Sequence, residues 1–257
     1  MNFFRSLYEY RELLKSSIKK DVGGKYKNSV LGVLWSFLYP LLQIAVYAIV
    51  FPLIMRSNME NYTVFVCCGL IPWNFFSTAT SRTSFTMIEN GNIIKKVYFP
   101  REILPLSVVT SEAINFIIST IIILAFVLGY GMGLSKYIIF YPLILIVQYF
   151  LLIGISFIVS SVTVYFRDLQ HFIGIALQLL FYATPIVYAT NIIPESYQWI
   201  LRLNPMTFII DGYRSIFYYQ QQPDFISLGI TLLVSLILCV VGYLLFSKLQ
   251  KRFAEEL

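Results

Sequence analysis

Six stretches of this chain run for about 20 residues or more with almost no charge, and that feature constrains everything else. They lie at 30–55, 62–81, 103–131, 137–164, 172–190 and 225–247. Only the third holds a charged residue, Glu112; the other five contain none of the 19 Lys and Arg or 13 Asp and Glu. Such a run matches the ~30 Å hydrocarbon layer of a bilayer at ~1.5 Å per helical residue. Lipid cannot hydrogen-bond an open backbone, so each run must close its own bonds as a helix, and the alternation of a barrel strand is absent. With 58% of residues apolar and 12% charged, the chain also lacks the polar skin of a water-soluble globule. The expected fold class is an all-α integral membrane protein with six transmembrane helices in a single transmembrane domain over 1–257.

The connecting segments set an orientation. With a cytoplasmic N-terminus, the inside carries 15 of the 19 basic residues and the outside keeps Arg56, Lys136, Arg202 and Arg214. That asymmetry follows the positive-inside rule with both termini cytoplasmic. The net charge of +6 then marks topology, and nucleic acid is not needed as a partner. The first 29 residues have no apolar core of the length a cleavable signal peptide requires.

Three connections are more than turns. Within 1–29, residues 3–20 place Phe4, Leu7, Leu14 and Ile18 on one helical face until Asp21–Gly24 breaks the pattern, so this helix is expected to lie along the cytoplasmic interface. It either anchors the first span or binds a partner. The segment 82–102 has a turn signal at Asn90–Gly91, then Ile93, Ile94, Val97 and Phe99 among Lys95, Lys96 and Arg101; apolar anchors in a basic loop suit docking, whereas a plain topology loop needs only the charges. The segment 191–222 is expected outside, with Pro194 and Pro205 each opening a short helix. Its second piece, 207–219, is too short to cross and sets Asp211 and Arg214 at a pairing distance of three residues. It reads as an external gate or as a static cap. Span six and a cytoplasmic tail complete the chain over 223–257.

The chemistry is sparse. No G-x-x-x-x-G-K-[ST] phosphate loop occurs, so ATP is not cradled by this chain. There is no H-E-x-x-H and no Cys/His cluster; His171 is the single histidine, and Cys67, Cys68 and Cys239 sit in apolar runs. Catalytic and metal-ligating residues are therefore expected to be none. One carboxylate within the spans, Glu112, is too little for ion-coupled transport. It must be protonated, paired or facing water, and Asn115 follows one turn later; it either contacts a polar substrate or joins two helices. In the first run Trp35, Tyr39, Gln43 and Tyr47 recur every four residues. Such a stripe can stack on sugar C–H faces, and Tyr and Trp also crowd membrane interfaces for no other purpose.

KYKNSVLGVLWSFLYPL (25–41), GLIPWNFF (69–76), YFPRE (98–102), YFRDL (165–169), TPIVY (184–188) and NPMT (204–207), in this order, resemble the ABC-2 type polysaccharide and polyol-phosphate export permeases, the Wzm/TagG-like group that moves lipid-linked O-antigen, capsule or teichoic acid. The resemblance implies a second copy of the chain, two separate ATP-binding cassette subunits that hold ATP and Mg, and undecaprenyl-linked polysaccharide as cargo. It implies no cofactor in this chain and a multi-pass place in the bacterial cytoplasmic membrane. It makes 82–102 the site of a coupling helix, with Lys95, Lys96, Tyr98, Arg101, Arg167 and Asp168 facing the ATPase. Trp35, Tyr39, Gln43, Tyr47, Trp73, Phe76 and Glu112 become channel or substrate residues, Lys25 and Lys27 head-group contacts, and Asp211 and Arg214 the external gate. Lys25 and Lys27 serve equally as snorkelling topology residues, and Arg167 and Asp168 equally as a helix-end device. The competing readings are an ABC-2 exporter of a drug or small lipid and, from another class, a membrane-embedded glycosyl- or acyltransferase.

Overall fold

The computed structural model describes residues 3–24, 34–55 and 59–257. Lys25 and Lys27 lie outside them. Twelve helices are present among the described residues: α1 Phe3–Glu9, α2 Arg11–Gly24, α3 Trp35–Met55, α4 Tyr62–Glu89, α5 Gly91–Lys96, α6 Ile103–Gly129, α7 Tyr141–Tyr165, α8 Leu169–Ala183, α9 Gln198–Leu203, α10 Pro205–Phe217, α11 Phe225–Leu249 and α12 Phe253–Glu256. No strand occurs among them.

Among the described residues five helical stretches are long and apolar enough to cross a membrane: Trp35–Ile54, Tyr62–Glu89, Ile103–Gly129, Lys136–Tyr165 and Phe225–Glu256. The run 172–190 behaves differently. Its helix stops at Ala183 after 15 residues, ~22 Å of rise against a ~30 Å layer, and Thr184–Tyr188 continues without helix. Two boundaries are corrected. Asp21–Gly24 stays helical, and the amphipathic segment divides at Tyr10 instead. The second apolar run does not end at Ser81, because helix continues through Arg82 to Glu89; nothing in that stretch breaks a helix before Asn90–Gly91.

Helix α4 is the mast of the bundle, packed by α3, α6, α7, α8 and α10. Inside it Pro72 interrupts the backbone ladder, and the Gln148 amide of α7 donates to the Pro72 carbonyl at 2.8 Å. Helices α7 and α11 cross in close contact. A Cβ added to Gly242 would sit 2.5 Å from the Gly154 carbonyl oxygen, and one added to Gly154 would sit 2.7 Å from the Leu238 backbone. With no lipid-excluding drive between membrane helices, small residues that let backbones approach supply the attraction by dispersion. At the opposite side of the sequence, α6 ends at a turn that places Gly131 and Gly133 at φ 71° and 74°, values side chains avoid. Asp224 caps α11 by accepting from Ile226 N at 3.0 Å and Ser227 N at 3.3 Å, and these bonds with the Ser227 hydroxyl foremost hold its carboxyl below its ordinary range.

Two cores result. The larger fills the bundle between α4, α6, α7 and α10. The smaller lies at one end, where Met87, Ile94, Phe99, Phe246 and Phe253 meet and Leu7 of α1, Tyr10 between the helices and Leu14 of α2 lean on them. The anticipated apolar face of the N-terminal helix is therefore in part spent on its own chain.

Gly242→Val should overpack the α7–α11 crossing and cost about 1–3 kcal/mol, read as a lower thermal midpoint of the purified chain in detergent. Gly174→Ala, where an added Cβ meets nothing within 4 Å, should leave it unchanged; equal midpoints for both variants would contradict the close crossing.

Candidate functional site

The first half of the aromatic stripe opens onto a cavity of about 480 Å³ between α3, α4 and α6. Trp35 and Tyr39 line it from α3, Asn74 and Thr78 from α4, and Glu112, Asn115 and Ser119 from α6. Trp35 and Tyr39 keep 44% and 58% of their residue surface exposed, whereas Glu112 is buried. Open ring faces thus stand opposite hydrogen-bonding groups set in an apolar wall.

Glu112 is not alone. Arg82 Nη1 of α4 donates to its Oε1 at 2.6 Å, and Asn115 Nδ2 donates to Oε2 at 3.4 Å. Glu112 lies nine positions into α6, ~14 Å along its axis, where a carboxylate without a partner is costly. The same guanidinium approaches Asp21 of α2 at 3.5 Å. Burial pushes the Asp21 carboxyl above its ordinary value, against the opposing pull of Arg82 and Lys20. Arg82 therefore ties α2 to the cavity wall. It was counted in the sequence only as a topology charge, and the unbroken helical pattern from 82 to 89 is the signal that could have placed it facing α6.

Gln43 organises the stripe. Its Nε2 donates to Tyr39 Oη at 3.1 Å, and Asn74 Nδ2 donates to its Oε1 at 2.7 Å. Tyr47 leaves the cavity and stacks on Phe181 of α8, with centroids 5.7 Å apart; Phe181 in turn meets Trp73 edge-on at 5.9 Å, and Trp73 meets Phe76 at 5.3 Å. Trp73 and Phe76 are buried. The expected row of seven channel residues is thus divided: Trp35, Tyr39 and Glu112 share a cavity with Gln43 behind them, while Tyr47, Trp73 and Phe76 form the seam between α3, α4 and α8.

The residues expected to face an ATPase separate similarly. Lys95 and Lys96 end α5 fully on its open side, with Ile93, Val97 and Tyr98 exposed beside them, Tyr98 at 88%. Arg101 turns inward: its Nη1 donates to the Gln250 carbonyl, and its guanidinium lies 5.8 Å from the Phe253 ring centroid. Arg167 and Asp168 are exposed before α8 and share a shallow pocket with Glu256. Helix α12 packs against both α5 and α7, so these segments meet at one end of the molecule.

Asp211 and Arg214 do come together, Nη1 to Oδ1 at 3.8 Å, but α10 is not a surface flap. Met206, Ile209, Ile210, Tyr213 and Ile216 on it have no exposed surface. Arg214 is buried over the Phe65 ring, 3.6 Å from its centroid, and its Nη2 donates to the Ile186 carbonyl at 2.7 Å. Gly69 makes room: a Cβ there would lie 3.0 Å from Arg214 Nη2 and 2.9 Å from the Ile186 oxygen. Asn204 caps α10 by accepting from Met206 N at 3.0 Å and donates to Thr184 Oγ1 at 2.7 Å. Thus the non-helical 184–188 segment and α10 are one locked unit.

No group of three or more His, Cys, Asp or Glu that could hold a metal exists among the described residues. The cavity groups can bind and orient a polar ring.

Comparisons with known proteins agree with the motifs. The ABC-2 type transporter family model matches residues 12–218. The O-antigen export system permease protein RfbA of Klebsiella pneumoniae is 40% identical over 247 residues, 96% of this chain and 95% of its own length. Its counterpart of the same name in Myxococcus xanthus is 33% identical over 255 residues, 98% of each chain. The polysialic acid transport protein KpsM of Escherichia coli is 24% identical, covering 89% of this chain and 88% of its own.

Removing one member of the α4–α6 pair takes from the other its shortest charged contact. Arg82→Gln or Glu112→Gln should each cost up to about 3 kcal/mol, the low end for a broken buried pair because Arg82 is one-third exposed, and the double variant should recover much of that loss. Thermal unfolding in detergent reads all three; strictly additive losses would show that the pair is not coupled.

Proposed function

The chain belongs to the ABC-2 type transporter family, and from that membership we propose that it is the permease subunit of an ATP-driven exporter moving a lipid-linked cell-surface polysaccharide across the bacterial cytoplasmic membrane. The observation that carries the cargo class is the cavity itself: open Trp35 and Tyr39 rings facing the Glu112 carboxylate and the Asn74 and Asn115 amides. Rings stack on the C–H faces of sugars, and carboxylate and amide oxygens accept sugar hydroxyls, without demanding one fixed pose. A passage for a long polymer needs that tolerance. The near full-length relatives that bear O-antigen export names support the same cargo.

In this reading two copies of the chain form the passage, each joined to an ATP-binding subunit that holds ATP and Mg. The membrane is crossed six times with both termini in the cytoplasm, α8 and the 184–188 segment together serving as the fifth crossing. The exposed face of α5 with Lys95, Lys96 and Tyr98 receives the partner, and Arg167 and Asp168 lie at the rim of that contact. Lys25 and Lys27 meet the diphosphate of an undecaprenyl-type carrier, since interfacial ammonium groups attract anionic head groups. On the other side, α10 with Asp211 and Arg214 gates the exit by moving together with 184–188, to which it is tied.

The mechanism is conformational work. ATP binds one arrangement of the partner subunits better than the other, and only such differential binding can shift the permease between states. No covalent bond changes in this chain. Its residues hold, orient and release the cargo: Gln43 fixes the tilt of the Tyr39 ring, and Arg82 keeps the Glu112 carboxylate aimed at the cavity.

Trp35→Ala with Tyr39→Ala should lower polysaccharide export about tenfold, since each lost aromatic contact is worth roughly 0.5–1.5 kcal/mol, with membrane abundance and co-purification of the ATP-binding subunit unchanged. Wild-type export would remove these rings from the path. Lys95→Glu with Lys96→Glu should weaken that co-purification, and full retention would reduce the lysines to topology signals.

A further inference from the structure

Residues 250–257 read in the sequence as a charged tail after the last span, yet they are built into the end of the bundle that carries α5. Phe253 has no exposed surface and shares a core with Ile94 of α5, Phe99 and Val164 of α7. Its ring meets Phe246 edge-on with centroids 5.6 Å apart and Tyr165 at 6.3 Å, and the Arg101 guanidinium covers it from the segment after α5. Polar bonds close the frame. Arg101 donates to the Gln250 carbonyl, the Gln250 amide donates to Glu102 Oε1 at 2.9 Å, and the Tyr165 hydroxyl donates to the Leu249 carbonyl at 2.8 Å. At its far end Leu257 closes on the turn into α5, its Cβ 3.6 Å from the position a Cβ on Gly91 would take.

We infer that residues 250–257 are a clamp that fixes α5 and the end of α7 as one rigid body, with Phe253 as its positioning residue. The inference rests on the reading of this chain as a permease driven through α5. Helix α5 has six residues and no side-chain cap at its start, and a helix that short has no stability of its own. A push on its exposed Ile93, Lys96 and Tyr98 would be absorbed by bending of the 90–101 segment unless something stiff stood behind it. Ile94 is the one apolar side chain of α5 that faces inward, and the core it enters includes Phe253. The clamp thus converts a flexible loop into a lever: force arriving at α5 passes through Phe253 to α7 and α11, and through Arg101 and Glu102 to the start of α6. Phe253 itself touches neither cargo nor partner, so its effect appears as lost coupling and not as lost binding.

The test uses the full chain assembled with its ATP-binding subunit in membranes, scoring permease abundance, ATP hydrolysis and polymer export. Phe253→Ala should reach the membrane and retain ATP hydrolysis while export falls about tenfold, the scale of an ordinary coupling free energy; Phe253→Leu should restore most of it. A merely structural role would leave the ratio of export to ATP consumed unchanged. In a second variant, Gly91→Cys with Leu257→Cys, the spacing suits a disulfide. Oxidation should form that bond and leave export close to its uncrosslinked level, because the clamp stays shut through the cycle. Wild-type export per ATP in Phe253→Ala, or loss of export on crosslinking, overturns the clamp. Should Phe253→Ala fail to accumulate, the crosslinked pair decides alone. Failure of the unaltered chain to associate with any ATP-binding subunit would instead overturn the permease reading, a result distinct from normal transport in a clamp variant.

Discussion

A polar group sealed inside a helix bundle must find its partner on a neighbouring helix, and the interior of this protein is organised around that requirement. Several of the junctions between long helices carry such bonds. Arg82 and Glu112 join α4 to α6; Gln148 joins α7 to the Pro72 carbonyl of α4 and accepts from Tyr213 of α10. Thr110 with Tyr149, and Thr120 with Tyr141, each share a 2.8 Å hydrogen bond between α6 and α7, and Cys239 donates to the Phe150 carbonyl where α7 and α11 cross. Dispersion between apolar faces holds helices together but is indifferent to sliding, whereas a directed bond in a medium with no competing water fixes register. The bundle therefore has a small number of defined arrangements, which a transport cycle requires.

The same rule divides the molecule into a part suited to cargo and a part suited to force. Between α3, α4 and α6 polar groups line a cavity, with partly exposed aromatic residues beside them. At the α5 end Arg101, Glu102, Tyr165 and Gln250 hold chain segments to one another, and Lys95, Lys96 and Tyr98 stand exposed beside apolar neighbours. Arg82 links α2 to the cavity, since it meets Asp21 on one side and Glu112 on the other. A displacement of α2 is thus felt at the cavity wall through one side chain.

Much of this architecture was legible in the residues. Charge-free runs located the long helices because lipid leaves a backbone no alternative, Pro205 opened α10 where its missing N–H costs nothing, and Asn90–Gly91 marked the start of α5. What was not legible depends on which way a side chain turns. Arg82 followed an apolar run and counted as a topology charge until the helix carried it round to face Glu112. Arg214 in a short apolar stretch reads as an external gate residue paired with Asp211, but Gly69 and Phe65, far away in sequence, supply the hollow that buries it. Tyr47 belongs to the same four-residue stripe as Tyr39, yet Phe181 draws it out of the cavity. Phe253 sat alone among Lys251, Arg252, Glu255 and Glu256, and one aromatic residue in a charged run carries no periodicity to reveal a core position. Spacing reports the face of an element; the partner that awaits that face is a property of the whole fold.

The central claim is that this polypeptide is a passage powered from outside itself. The most direct measurement is polymer translocation in proteoliposomes holding the purified chain, with and without the ATP-binding subunit, at fixed lipid-linked glycan and saturating ATP. The account requires glycan to appear on the far side only when both proteins and ATP are present, with negligible ATP hydrolysis by the chain alone. Translocation or brisk hydrolysis by the chain without its partner would contradict it.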